Sequence, residues 1–499
     1  MLVAKGLSAL HVRLGQVVAV ALIVGLCIHI STHGRLSTRV ELSADPTRGP
    51  SAEEQYLKRL ADRYKLTNQT EWLAWRVQSS GRKDGGSALV DVGLNFASQS
   101  RSIMDVRGPD PEAPRAPRKM TLPARDDARA GQTDASDLLF GISTSYERIA
   151  DRDWALLRAW QRWLTGANKE SNGAGLVLML DKATDRQLQE IDDELYRRGL
   201  AAYLMSTEEP MSMAKRYHEL VRIFKTYGAT LAASGQRKKW FGLVEDTVFF
   251  PGLSYLGERL SRYNADDELY IGLPSGRRDW HADGENMTTN GGGAVLLTRR
   301  AVDRIPRLPC LEASETETPV KPKRWDALLK DCVKQRAGLD MGSIPASYSP
   351  RHGDQGASLE ARVRPLVLQG GNRLDLGMAH LVTDVCGEAC FMQRFLFRDD
   401  WVLVNGVSIS QHPDGLRRQP PGLLGNASRQ SLDDDDDGER SLFTWTGRRN
   451  VWRLLDSASA SNGSVWQAYL KRGSRSGEGT DGLDSVIVLI WEQNTLRRR

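Results

Sequence analysis

Residues Lys238–Leu253 read KKWFGLVEDTVFFPGL. Trp240–Val244 is an unbroken apolar run, and it ends at two acids, Glu245 and Asp246, followed by Thr247. A buried strand that delivers carboxylates to its carboxyl end puts them where ligands of open parallel sheets gather. The plainer alternative is that Glu245-Asp246 caps a helix starting near Gly252.

Working upstream, apolar runs alternate with helical patterns. Leu138–Ser143 (LLFGIS), Leu176–Leu180 (LVLML) and Ala201–Met205 read as strands. Tyr146–Leu164, Asp185–Arg198 and Met211–Ala232 read as helices, the first carrying Ile149, Trp154, Leu157, Trp160 and Leu164 at helical spacing. Continuous apolar strands between helices predict an α/β domain with a parallel sheet covered on both faces. Downstream, Gly291-Gly292-Gly293 precedes a strand at Ala294–Leu297. It serves either as a plain turn or as a place where backbone approaches a sugar or phosphate.

The chain has 499 residues, 40% hydrophobic and 26% charged, with a net charge of +5. This is ordinary globular composition. No dense Lys/Arg stripe with interleaved aromatics is present, so nucleic acid is not an expected partner. Leu14–Ile30 (LGQVVAVALIVGLCIHI) has no Asp, Glu, Lys or Arg and reads as a short membrane span. His29-Ile30-Ser31-Thr32-His33 is poor for signal cleavage, which favours an uncleaved anchor. The expected division is a cytosolic tail at 1–13, a single transmembrane signal anchor at 14–30 and a stem at 31–135. The main domain follows at 136–420, then an acidic loop at 421–438 and a carboxyl-terminal extension at 439–499. Helical pieces are expected in the stem at Glu53–Arg63 and Glu71–Gln78, and the Asp433–Asp437 run reads as a solvated loop.

Asn-x-Ser/Thr sequons lie at Asn68, Asn286, Asn426 and Asn462, all after the apolar run. Cys310, Cys332, Cys386 and Cys390 form an even set suited to two disulfides in an oxidising lumen. A zinc site is the rival, but C-x2-C knuckles are absent. Sequence does not fix the pairing; proximity suggests Cys310–Cys332 and Cys386–Cys390.

The Lys238–Leu253 segment resembles the acidic-strand signature of the fringe-like glycosyltransferases of family 31, a β-1,3-glycosyltransferase superfamily, in a fungal form. GISTSYERI (141–149), AKRYHELVRIF (214–224), ELYIGLPS (268–275), GGGAVLLTRRAV (291–302) and TDVCGEACFMQRF (383–395) resemble further family blocks, in order. VLVNGVSISQHPDG (402–415) and the terminal VWRLLDSAS…DGLDSVIVLIW are similar to fungal members. The resemblance covers roughly residues 137–495.

It implies a GT-A-type, Rossmann-like domain that transfers a hexose or N-acetylhexosamine from a UDP-sugar to a hydroxyl of a glycan or glycoprotein, with inversion, in the Golgi lumen. The protein would be a single-pass type II Golgi membrane protein. The resemblance also implies Mn2+ (or Mg2+) on Glu245 and Asp246, with His412 as a further ligand. Ser143, Thr144, Arg148, Gly292 and Gly293 would lie at the donor, and Asp384 would be the general base. For Asp384 the alternative is a helix-start carboxylate. One departure stands out. Aligned without a gap, the family's three Asp fall on Glu245, Asp246 and Thr247; shifted by one residue, the last falls on Asp246. The alternative function is a catalytically degenerate lumenal glycan- or partner-binding protein of the same fold.

Overall fold

The computed structural model describes residues 39–40, 51–80, 89–98, 101–106, 117–124, 133–166, 170–273, 281–283, 286–288, 293–310, 325–344, 359–360, 365–369, 375–418, 442–473 and 482–492. The apolar run 14–30, Gly292, Asn426 and the 421–438 loop lie outside these residues. Among the described residues no helix is long and apolar enough to cross a membrane.

The fold is mixed α/β and built on two large sheets. In the first, the strands run Gly342–Ser343, Tyr270–Gly272, Ala294–Thr298, Trp240–Val244, Leu138–Thr144, Gly175–Asp181, Ala202–Thr207 across the sheet. The last four are mutually parallel; Ala294–Thr298 runs antiparallel to Trp240–Val244. Leu138–Thr144 and Trp240–Val244 are buried at every residue, which explains their continuous apolar sequences.

Helices Tyr146–Leu164 and Asp185–Arg197 pack on one face through Ile149, Leu157, Trp160, Ile191 and Leu195, with Phe140 and Ile142 below them. Helix Met213–Ala233 packs on the other face through Tyr217, Leu220 and Phe224, against Leu139 and Val177. Gly141 makes that packing possible, because a Cβ there would sit 2.7 Å from the Phe224 ring. The sheet is therefore doubly wound. Its switch point lies between Leu138–Thr144 and Trp240–Val244, whose incoming and outgoing helices take opposite faces.

Helix Tyr146–Leu164 is not continuous. Arg152, Asp153 and Trp154 adopt left-handed φ values of 48°, 54° and 61°, which separates a first turn from the main helix.

The second sheet joins the two ends of the chain. Gln69–Ser79 pairs in parallel with Asp484–Glu492, which continues through Val465–Lys471 and Asn450–Ala460 to Ser408–Gln411. Helix Ala52–Tyr64 covers one face with Tyr56, Leu57 and Leu60. The helix expected at Glu71–Gln78 is instead part of this strand. Trp72 and Trp75 mimic a helical spacing, but Trp and Val favour strands, and both faces find cover.

Candidate functional site

The carboxyl ends of the two switch-point strands meet at Asp246. Thr144, the last residue of its strand, donates its hydroxyl to Asp246 Oδ2 at 2.6 Å. Arg148, in the first turn of the following helix, grips the same carboxylate with Nε on Oδ2 (2.6 Å) and Nη2 on Oδ1 (2.8 Å). Trp160, further along that helix, donates its indole N–H to the Asp246 carbonyl at 3.1 Å. Asp246 is buried, whereas the Arg148 side chain is 56% exposed. The hydrogen bonds to Asp246 hold the Arg148 guanidinium above its ordinary pKa.

Glu245 faces a different set of neighbours. Its Oε1 accepts from Trp325 Nε1 at 3.0 Å, and its amide donates to the Gly293 carbonyl at 2.7 Å. Trp325 stacks on Tyr217 at 4.0 Å between ring centres, and Tyr217 donates its hydroxyl to the Val244 carbonyl. Burial first, then the charges of Glu245 and Asp246, hold that phenol well above its usual pKa. Neither acid caps the helix Leu253–Leu260, whose N-cap is Gly252 without a side-chain bond. Ser143 accepts from Arg216 Nε at 2.8 Å, and Arg216 also pairs with Asp181 at 2.9 Å.

Asp384 lies in the short helix Thr383–Cys386. Arg162 holds both its oxygens, at 2.5 and 3.1 Å. Arg162 is two residues from Trp160, so one helix serves both Asp246 and Asp384. The 375–391 segment closes on the same region, with His380 and Phe391 packed on Phe249. Cys386 is bonded to Cys390 at the end of this segment, and Cys310 to Cys332 beside Trp325.

The metal set does not assemble. His412 is buried just past the strand Ser408–Gln411 of the other sheet, 4.9 Å from the Trp445 ring and with Nε2 3.4 Å from Glu360. Glu360 is in turn gripped by Arg449. The described residues contain no group of three or more His, Cys, Asp or Glu able to hold a metal ion. Asp246 already carries a guanidinium on both oxygens, and Thr247 follows it. Glu245, Asp246 and His412 thus do not come together as a ligand set for a divalent cation. Arg148 already balances the charge of the Asp246 carboxylate.

Gly293 has a φ of 95°, a conformation that glycine supplies at no steric cost. Asn68 and Asn462 are exposed, and Asn286 falls on a short strand, Asn286–Thr288. Sequence reading missed the partners: Arg162, Arg216 and Trp325 carried no local mark of their role. Arg216 did lie inside a quoted block.

No protein-family model matches the chain, and no curated protein matches it. Among solved structures it is similar to the glycosyltransferase GlyE of Streptococcus pneumoniae TIGR4, at 11% identity over 42% of this chain and 45% of that one, with a TM-score of 0.27. The mannosyltransferase PcManGT from Pyrobaculum calidifontis, in complex with GDP-Man and Mn2+, matches at 12% over 45% and 60%, TM-score 0.27. Mouse xyloside xylosyltransferase 1 matches at 11% over 47% and 97%, TM-score 0.28. The chain spans about half the length of the GlyE structures it matches. With such scores, a functional reading rests on this chain's own residues.

Proposed function

We propose that this protein is an inverting glycosyltransferase of the fringe-like type, and that the crevice at the switch point takes a UDP-sugar. The observation that carries this is the convergence of Thr144, Arg148 and Asp246 at the carboxyl ends of two adjacent parallel strands, where open α/β sheets bind ligands. The ordered sequence blocks around it supply the sugar-transfer class.

In this reading Asp384 takes the proton of the acceptor hydroxyl as that oxygen attacks the anomeric carbon. The bond from that carbon to the diphosphate breaks, and UDP leaves with the electron pair. Arg162 holds the Asp384 carboxylate in place until acceptor arrives. No step is assigned to a metal ion. The apolar run 14–30 and the downstream sequons support a type II anchor with the domain in the Golgi lumen.

A second reading has its own support. Both Asp246 and Asp384 are occupied by arginines, and Thr247 stands beside Asp246, as expected of a protein that binds a glycan or partner without turning it over. The deciding experiment incubates the purified full-length chain with a panel of UDP-sugars and glycan acceptors, with and without Mn2+. Transfer or donor hydrolysis supports the enzyme. Donor binding without turnover supports the second reading, and no donor binding under any condition rejects the crevice assignment.

A further inference from the structure

Arg148 is held along one edge only. Nε and Nη2 are committed to Asp246, while Nη1 has no hydrogen-bond partner among the described residues. The side chain is 56% exposed, whereas Asp246 is buried beneath it. A guanidinium is planar, so fixing two of its nitrogens fixes the direction of the third. Asp246 and Thr144 thus hold a charged donor fork at the carboxyl ends of the two switch-point strands. Arginine forks match phosphate oxygens in charge and geometry.

Thr144 and Arg148 already take three of the roughly four lone-pair sites of this carboxylate, so a cation there would compete with the pair. A divalent ion at Asp246 would compete with a bidentate guanidinium for a buried acid, and among the described residues no group of three or more His, Cys, Asp or Glu forms a ligand set there. The neighbouring cation does not offer the same service: Arg216 is only 12% exposed and is spent on Asp181, Ser143 and the Met211 carbonyl.

We infer that Arg148, positioned by Asp246, takes the place of a metal ion in this crevice and binds the diphosphate of a nucleotide directly, without a divalent cation. The inference rests on the nucleotide-sugar reading above and specifies which group of that site hydrogen-bonds the diphosphate. Because Arg148 and Asp246 together are neutral, the attraction comes from short, oriented hydrogen bonds rather than from net charge. Affinity should therefore be modest.

The test uses the full-length chain in detergent, with UDP as the probe and calorimetry as the readout, in EDTA and in Mn2+. Wild type should bind UDP with the same dissociation constant, within about twofold, in both. Arg148→Ala should weaken binding by roughly tenfold or more, the scale of a lost charge-assisted hydrogen bond. Since that variant leaves Asp246 buried and unpaired, the double variant Arg148→Ala/Asp246→Asn serves as the folded control. It should lose UDP to the same extent while melting close to wild type. UDP binding that appears only with Mn2+ overturns this inference and leaves the nucleotide crevice standing. Wild-type affinity in the double variant overturns it as well. Absence of UDP binding in both buffers overturns the inference together with the reading on which it rests.

Discussion

Trp325 donates its indole N–H to Glu245 across 80 residues of sequence, at 3.0 Å, in a buried setting. Trp325→Phe keeps a ring to stack on Tyr217 but deletes the donor together with the pyrrole part of the indole, so a cavity cost adds to the lost bond. A buried carboxylate deprived of one donor costs about 1–3 kcal/mol. Urea unfolding should show at least that loss with an unchanged m-value. A midpoint equal to wild type would mean that Glu245 draws nothing from the indole.

The helix that carries Trp325, Trp325–Ala337, is tied down by Cys332 to Cys310, 22 residues away. Closing a loop of that size in the unfolded chain is worth about 3 kcal/mol in the chain-entropy account. Cys310→Ser with Cys332→Ser should destabilise by that order. Hydrogen exchange should rise first in 325–337. Equal protection with and without the bond would show that packing alone holds the helix.

Asp456, 1% exposed, accepts from Tyr56 (3.0 Å), Tyr64 (2.9 Å), Arg59 (2.5 Å) and Arg63 (3.4 Å). All four donors come from helix Ala52–Tyr64 or its last turn. Asp456→Ala should cost about 2–4 kcal/mol, less than a fully buried pair because both arginines are partly exposed. Exchange should accelerate in 52–64 and not in Leu138–Thr144. Burial, then the Asp456 charge, raises the pKa of both tyrosines. A raised folded-state pKa means the stabilisation is complete below about pH 10 and is lost as pH climbs past it. Tyr56→Phe with Tyr64→Phe should flatten that alkaline loss.

How much of this could be read in advance follows from where each signal lies. The strands at 138–144, 175–181 and 240–244 announced themselves because burial on both faces makes the whole run apolar. Helix Asp185–Arg197 carries its start signal locally, a capping box between Thr184 and Gln187. Gln69–Ser79 had no such signal. Its longest pairing is with a strand some four hundred residues on, besides shorter ones with Ser102–Asp105 and Arg118–Leu122, and Trp72 and Trp75 sit three apart, as on a helix. The site divides in the same way. Thr144, Arg148 and Asp246 each lie in a quoted block, but the ion pair that joins Arg148 to Asp246 across 98 residues is a fact of packing that no block carries. The place of His412 against the Glu360–Arg449 pair was likewise invisible, because a histidine before proline carries no sign of partners 52 and 37 residues away.

His380 gives an acid-side test. It is buried between Phe249 and Phe391, bonded to the Leu376 carbonyl through Nδ1, with no partner for Nε2 among the described residues. Burial first, then the positive charge of Arg162, pushes its pKa well below the usual value. For a histidine with a depressed folded-state pKa, stability is present above the unfolded value, about 6.5, and falls as pH drops below it. His380→Phe should make the melting temperature less dependent on pH between roughly 6.5 and 4.5. An unchanged slope would assign the acid loss to other groups.

The Arg162–Asp384 pair separates a transferase from a binding protein. Asp384 is 41% exposed, so Asp384→Asn should cost no more than about 1 kcal/mol of stability, the scale of a surface ion pair. If this carboxylate takes the acceptor proton, the same change should lower kcat by about a hundredfold to ten-thousandfold, the usual contribution of a positioned base. Donor affinity should stay within a few-fold, because Asp384 is assigned to the acceptor hydroxyl. Arg162→Gln leaves the carboxylate but removes the group that orients it, so kcat should fall less than in Asp384→Asn, again without loss of UDP binding. A merely structural pair would give a different pattern: both variants would lower the melting temperature alike and leave the rate per folded molecule unchanged. That pattern would remove Asp384 from the chemistry and leave the switch-point crevice as a binding site.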